Sequence, residues 1–435
     1  MKIYLVVLIL LVSTFQIKAQ SFVLSPYSRY GLGEMQNNTE PVSFSMGGLT
    51  TAFRDRYAIN SFNPASYTIL LHDQDSLPML FNGGIKGNFS SQKNASQTSN
   101  RFSGSLNSFS FAFKGAENWG MAFGLQPYSS VGYNLETSFP IDSLANYTAK
   151  YEGSGGFNKF WMGHAVELFD HLSIGANVSY IFGSLSQTRR IVFDTNAYYN
   201  TKTMSSRYVG DFAFDAGIQY EMILKRDSLT SEKTRLVLGA SVGFPTELNA
   251  SESMLAMRYY ASGGSEYIID TTGVADDVEG TVSLPMSISG GFLLSRDQKW
   301  SFGADFKMQD WSDFKAFGES DSLKNSISIN AGFSYSPAKK SSTKFSTRKT
   351  WYGGFHYDQT YLSLKGEELS KIGISFGCSW PLKSIYPRLQ RSVITTGIEF
   401  GKMGTTNQNL IEENYIRFVF GISLKERWFE KKKYN

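Results

Sequence analysis

Between Leu284 and Trp311 the sequence reads LPMSISGGFLLSRDQKWSFGADFKMQDW, and apolar residues take every second position in it twice over. Leu284, Met286, Ile288, Gly290, Phe292 and Leu294 share one face of the first half. After the polar turn Ser295–Lys299, Trp300, Phe302, Ala304, Phe306 and Met308 share a face opposite Ser301, Gly303, Asp305, Lys307 and Gln309. A repeat of two belongs to a strand and not to a helix, whose repeat is about 3.6. Two such strands of about ten residues, tightly joined, form the repeating unit of a transmembrane β-barrel, with lipid on one side of the wall and a lumen on the other. A hairpin of a soluble sandwich alternates in the same way, so the rest of the chain has to separate the two.

The alternation recurs in about fourteen segments, near 81–90, 107–115, 118–127, 157–168, 171–183, 203–222, 234–245, 283–294, 299–311, 325–336, 348–359, 369–380, 391–402 and 414–424. The tightest turns, Gly115–Asn118, Phe169-Asp170 and Ser295–Gln298, follow even-numbered segments. The longest connections, 128–156 and 246–282, follow odd-numbered ones and read as loops at the opposite rim. A sandwich has no reason to sort its connections by parity, whereas outer-membrane barrels have short turns on one side and long loops on the other. The fold class predicted is an all-β transmembrane antiparallel up-and-down barrel of about fourteen strands, residues 81–424, with 425–435 as a periplasmic tail. Trp119, Trp300, Trp311, Trp380 and Trp428 end segments and suit interfacial girdles.

Composition agrees. Aromatic residues make up 15% of the chain, only 11 prolines interrupt it and 40 glycines punctuate it. A mean hydropathy of −0.23 does not argue against a barrel, whose apolar face occupies only alternate positions. The net charge of +4 is too small to imply nucleic acid. Residues 1–20 read as a secretory signal: Lys2, an apolar run Ile3–Phe15, and Ala19 at a plausible cleavage point. The run is too short to span a bilayer. Cys378, the single cysteine, shares parity with Ile372, Ile374, Phe376 and Trp380 and reads as a small lipid-facing hydrophobe.

Residues 21–80 do not alternate. A short helix is expected within Met46–Ala58 and a turn at Asn63-Pro64. The segment is too small and glycine-rich to hold a core alone, so it reads as a hatch packed inside the barrel, and Gly47, Gly48, Asn63, Pro64 and Ala65 are its candidate shaping residues. On the inward face Gly373, Ser375, Gly377, Gly397, Gly401 and Gly421 leave room for it. Asp211, Asp215, Glu221, Asp305, Lys307, Lys371, Glu399 and Arg417 share that face, where they either pair across a filled lumen or line a path. Chemistry is not signalled. The histidines, His72, His164, His171 and His356, are scattered, and there is no GxSxG elbow, phosphate loop or metal-ligand spacing. No enzyme activity, metal or cofactor is expected.

Gly47-Gly48 and Asn63-Pro64-Ala65, followed by Leu284-Pro285, Asp305 and Trp311-Ser312, resemble the FadL family of outer-membrane long-chain fatty acid transporters. The opening SPYSRYG and closing ERWF depart from the family pattern and point to a divergent, Bacteroidetes-like branch. The resemblance implies a Gram-negative outer-membrane channel for passive uptake of hydrophobic compounds such as long-chain fatty acids. A solute would be caught by the long connections, pass the hatch and leave sideways through a gap in the wall. Met254, Leu255, Met257, Tyr259 and Tyr260 of 246–282, with inward Lys307 and Arg417, are the candidate ligand-binding residues. The expected partners are membrane lipid and a hydrophobic small molecule. The alternative is a FadL-like barrel that docks a protein partner or serves a secretion system without transporting anything.

Overall fold

The computed structural model describes residues 25–427 apart from 73–77, 96, 141–145, 170, 196, 230–231, 298, 338–348 and 383–391. The signal segment 1–20, Trp428 and most of the tail lie outside the described residues. Fourteen antiparallel strands close into one barrel, the last pairing with the first from Glu412↔Lys93 to Arg427↔Pro78. In chain order they are β1 Pro78–Lys93, β2 Thr98–Ala116, β3 Trp119–Pro140, β4 Asn146–Leu168, β5 Leu172–Phe193 and β6 Asn200–Arg226. β7 is broken into β7a Lys233–Gly243 and β7b Thr246–Ser262, and β8 into β8a Ser265–Leu284 and β8b Ser287–Arg296. The remainder are β9 Trp300–Gln309, β10 Ser326–Tyr335, β11 Thr350–Leu364, β12 Glu367–Pro381, β13 Ser392–Met403 and β14 Glu412–Arg427. Each expected segment maps onto one strand. No described helix is long and apolar enough to cross a membrane; the crossing is made by strands, whose backbone groups bond to their neighbours in the ladder.

The alternation is physically what the sequence implies. Ile85, Phe89, Phe302, Phe306, Ile374, Phe376, Phe400, Phe418 and Phe420 are exposed on the outer surface, while the residues between them face inward. Opposite faces of β8b and β9 are held in register from Ser287↔Gln309 to Arg296↔Trp300. Proline sets where the pattern shifts. Leu284 is buried and belongs to the internal cluster, whereas Met286 is exposed. Both strand breaks sit at a proline, Pro245 in β7 and Pro285 in β8, because a residue without an N–H cannot continue an inner ladder.

Several expectations are corrected. The stretches 128–156 and 246–282 are not loops: β3 pairs with β4 out to Pro140↔Asn146, and β7b with β8a out to Ser262↔Ser265. Six strands, β3 to β6 with β7b and β8a, thus stand beyond the rim as an extended sheet. Part of their inner face there packs on the internal cluster, through Tyr133, Leu248 and Ala250, but without lipid on the other face strict alternation is no longer enforced and the sequence pattern lapses. The helix lies at Pro41–Ser45 (α1) and not within Met46–Ala58. Trp311 is no girdle residue; it is fully buried and stacks on Tyr361 with ring centroids 4.5 Å apart. Cys378 keeps its outward parity, opposite Trp351, but is covered, at 4% exposure.

Residues 25–72 pack on the inner side of this wall. α1 contacts β11 to β14, and the 3-10 segment Pro64–His72 contacts β2 to β6. The internal apolar residues form two main groups. One, with Tyr27, Leu32, Tyr133, Phe157, Trp311, Tyr361 and Tyr415, fills the end of the lumen facing the extended sheet. The other, with Ile59, Tyr67, Leu80 and Trp161, lies under the Pro64–His72 segment.

Candidate functional site: a hatch seated in the lumen

The hatch touches the wall through its backbone, which requires wall residues without side chains. A Cβ on Gly217 would run into the Asn63 amide and one on Gly332 into the Met46 carbonyl. The Asn63-Pro64-Ala65 turn is locked from within and from without. Asn63 Oδ1 accepts the Ala65 N–H at 3.1 Å, while its Nδ2 donates to the carbonyls of Thr51 (2.6 Å) and Ala240 (3.2 Å). Asn63 is fully buried, so its amide depends on these bonds and on a longer one to the Ile218 carbonyl at 3.4 Å. Beside it, Tyr67 stacks on Trp161 and donates from its hydroxyl to Asn177 Oδ1 at 2.8 Å. Asp305 of β9 accepts the backbone N–H groups of Thr50 and Thr51, the latter at 2.8 Å. A buried carboxylate is satisfied here by hatch backbone and not by a cation.

Gly47, Gly48, Lys307 and Arg417 meet at one place. They line a cavity of about 70 Å³ between hatch and wall, together with Thr39, Phe62, Asn330, His356, Asp358, Lys371 and Glu399. Arg417 pairs with Glu34 of the hatch at 3.0 Å and lies over the Tyr415 ring. His356 sits 3.7 Å from both Glu399 and Asp358. Lys307 Nζ lies 5.7 Å from the Phe62 ring centre. Elsewhere inward charges pair along the wall, Lys159 with Asp215 at 2.8 Å and Arg235 with Glu221 and Asp297, while Arg54 of the hatch reaches Glu221. Met254, Leu255, Met257, Tyr259 and Tyr260 are not brought together. They alternate along β7b, with Met257 and Tyr259 buried and Met254 and Tyr260 exposed. No described group of His, Cys, Asp and Glu has metal-site geometry.

The wall itself forks. β2 and β3 pair only from Phe109↔Leu125 to Ala116↔Trp119. Above that level β2 stays with β1 and β3 stays with β4. Pro127 and a bulge between Pro127 and Ser129 turn β3 away. The hatch fills the fork. Glu34 and Met35 pair with Ser130 and Ser129, and Gln36 N–H donates to the Tyr128 carbonyl at 2.9 Å. On the other side Asn107 Nδ2 donates to Thr39 O at 2.9 Å, and the Ser108 and Ser110 hydroxyls donate to Glu40 Oε1 at 3.0 and 3.2 Å. Sequence reasoning missed both the fork and Glu40; the only trace is Pro127 inside an alternating run.

A model of the BamG family matches residues 1–435. The chain belongs to the BamG family. A search of the curated proteins found no match. Among solved structures, this BamG-family barrel is similar to the CymD monoaromatic hydrocarbon channel, at 14% identity and a TM-score of 0.55 over 90% of this chain and 98% of that one. It is similar to the Ralstonia pickettii toluene transporter TbuX at 14% identity, with a TM-score of 0.58 over 89% and 98%. A Pseudomonas aeruginosa FadL homologue matches at 12% identity, with a TM-score of 0.55 over 90% and 99%. At such identities the likeness is one of fold.

Glu40 gives this BamG-family hatch a pH dependence. Among the described residues no cation pairs with it, and burial pushes its carboxyl up to about 7 from 4.5, against the two serine hydroxyls that favour the charged form. Because the seated pKa is the higher one, the contribution to seating is fully present below about 4.5, declines as pH rises and is lost through about 7. The difference corresponds to roughly 3 kcal/mol. Protease access to residues 34–40 in the purified barrel is expected to rise between acidic and mildly alkaline pH, and Glu40→Gln is expected to abolish that rise. A wild-type profile as flat as the variant's would refute the assignment.

Proposed function

We propose that the chain is an outer-membrane channel for the passive uptake of hydrophobic compounds, with long-chain fatty acids as the representative substrate class and sideways exit through the β2–β3 fork. The observation that carries this reading is the fork: a lipid-facing wall that stops pairing above Phe109↔Leu125 and is closed by a separate segment of chain. A solute leaving there enters lipid without crossing water, so partition of apolar surface, about 25 cal/mol per Å², supplies the driving force. The names of the similar structures, a monoaromatic hydrocarbon channel and a toluene transporter, support the same class. The divergent N- and C-terminal segments support a branch apart from those channels. Uptake of labelled oleate into proteoliposomes tests the reading. Wild-type protein is expected to exceed protein-free vesicles, and a variant with an unseated hatch to exceed wild type. If neither exceeds protein-free vesicles, the channel reading falls.

A second reading is favoured by the lumen. The cavity at the hatch is about 70 Å³, well short of the roughly 300 Å³ at which ligand pockets begin. The lumen end facing the extended sheet is filled by the Trp311–Tyr361 cluster. A barrel filled in this way suits a docking or accessory protein without transport, and that is the conclusion if both oleate experiments are negative.

A further inference from the structure

The sheet that stands beyond the rim ends in an open edge. β8a is bonded to β7b along one side from Ser265↔Ser262 to Leu284↔Thr246. On its other side only the last residues are covered: Phe317 N–H donates to the Thr281 carbonyl and Ser283 N–H to the Lys315 carbonyl, both at 2.9 Å, and Val282 bridges Ala316. The neighbouring strand β9 has already ended at Gln309. From Ser265 to Gly280 no described residue pairs with that side, so the edge is open over these residues, stepped by register shifts between Ile268 and Asp270, Thr271 and Gly273, and Ala275 and Val278. Open edges are usually shortened or covered, because their unpaired N–H and C=O groups template another chain.

We propose that this edge is a docking strand for an extended, cationic segment of a partner protein. Its side chains select the occupant. Ser265–Leu284 carries Glu266, Asp270, Asp276, Asp277 and Glu279 and no lysine or arginine. Glu266 is spent on Lys202, at 2.8 Å. Asp270, Asp277 and Glu279 have no ion-pair partner among the described residues. Apolar Ile268 and Val274 stand between them at 62% and 68% exposure. A second copy of the same edge would set carboxylates against carboxylates, which destabilises cross-strand pairing. A strand alternating lysine or arginine with β-branched residues reverses that sign and adds backbone bonds, the pattern of β-strand addition. The proposal is independent of whether anything passes through the lumen.

The test uses the full-length barrel in detergent and three labelled peptides read by fluorescence anisotropy. One alternates lysine with valine and threonine, one replaces lysine by glutamate, and one is the lysine peptide interrupted by prolines. The lysine peptide is expected to bind at least about tenfold more tightly than the other two, since exposed charge pairs each add a modest increment. Asp270→Lys, Asp276→Lys, Asp277→Lys and Glu279→Lys combined is expected to reverse the preference toward the glutamate peptide. These positions are exposed or half-exposed, and retention of heat-modifiable mobility on a gel checks the fold. No binding of the lysine peptide overturns the proposal. So does equal binding of the proline-interrupted peptide, which would show charge attraction without a strand. Self-association through this edge, lost in the charge-reversed variant, assigns the edge to a second copy and overturns it as well.

Discussion

Replacing Asp305 by alanine is expected to unseat the hatch while leaving the barrel closed. The carboxylate holds the backbone N–H groups of Thr50 and Thr51, and Asp305 is buried at 4% exposure. Bonds to a charged acceptor contribute about 1.5–3 kcal/mol each, and removing the acceptor leaves the buried Thr51 donor and the half-buried Thr50 donor unsatisfied. The combined loss, roughly 3–6 kcal/mol, shifts the seated-to-open equilibrium at least a hundredfold. The barrel ladder around Asp305 is untouched, since β9 keeps its backbone pairs with β8b and β10. Planar-bilayer conductance and protease access to the hatch should both rise, with heat-modifiable mobility unchanged. Unaltered conductance and protection in Asp305→Ala would show that the carboxylate is not what holds the hatch.

Gly47→Val is expected to be nearly as disruptive, and Gly48→Ala much less so. Gly47 has φ +73°, and a Cβ there would meet the Phe355 carbonyl oxygen at 2.5 Å and the Ala331 carbonyl at 2.7 Å. Both are wall backbone and cannot move aside without breaking the β10–β11 ladder. The Gly47 N–H also donates to Ser375 Oγ at 3.0 Å, so displacing the turn loses a bond to β12. Gly48 has φ +83° but open space where its Cβ would be. Its substitution therefore carries only the left-handed backbone cost of about 1–2 kcal/mol. The ordering is measurable as hatch protection from protease across the two variants. Equal effects would mean that backbone conformation, and not the approach to the wall, sets the seat. Pro64, packed near Gly217 of β6, belongs with Gly47: a larger side chain there should loosen the hatch without opening the barrel.

Both variants act on contacts that were only partly legible beforehand. Asp305 and Gly47 stand out in the sequence, one as a charge on the inward face of an alternating strand and the other as half of a glycine pair. Nothing in the sequence says that they serve the same seat from opposite sides. Lys307 and Arg417, chosen by parity alone, do reach one cavity with Gly47 and Gly48, because parity is conserved along an unbroken strand. Leu284 and Leu294, counted as one face, do not stay together, because Pro285 breaks the strand between them and parity is lost at a break. Glu40 carries no signal at all. Its chemistry comes from burial in the fork, against Ser108 and Ser110 on a strand some seventy residues away.

The sequence by itself determined the closed wall, its strand number and, along unbroken strands, which side chains face lipid, since the bilayer imposes one local rule on every strand that crosses it. Beyond the rim that rule ceases, and there only the tertiary structure decided that 128–156 and 246–282 continue as paired strands and that the β8a edge stays open. The fork, the buried Glu40 and the seat of the hatch were likewise decided in three dimensions. Each depends on which backbone fills a place that a strand has vacated, and alternation along a single strand does not encode that.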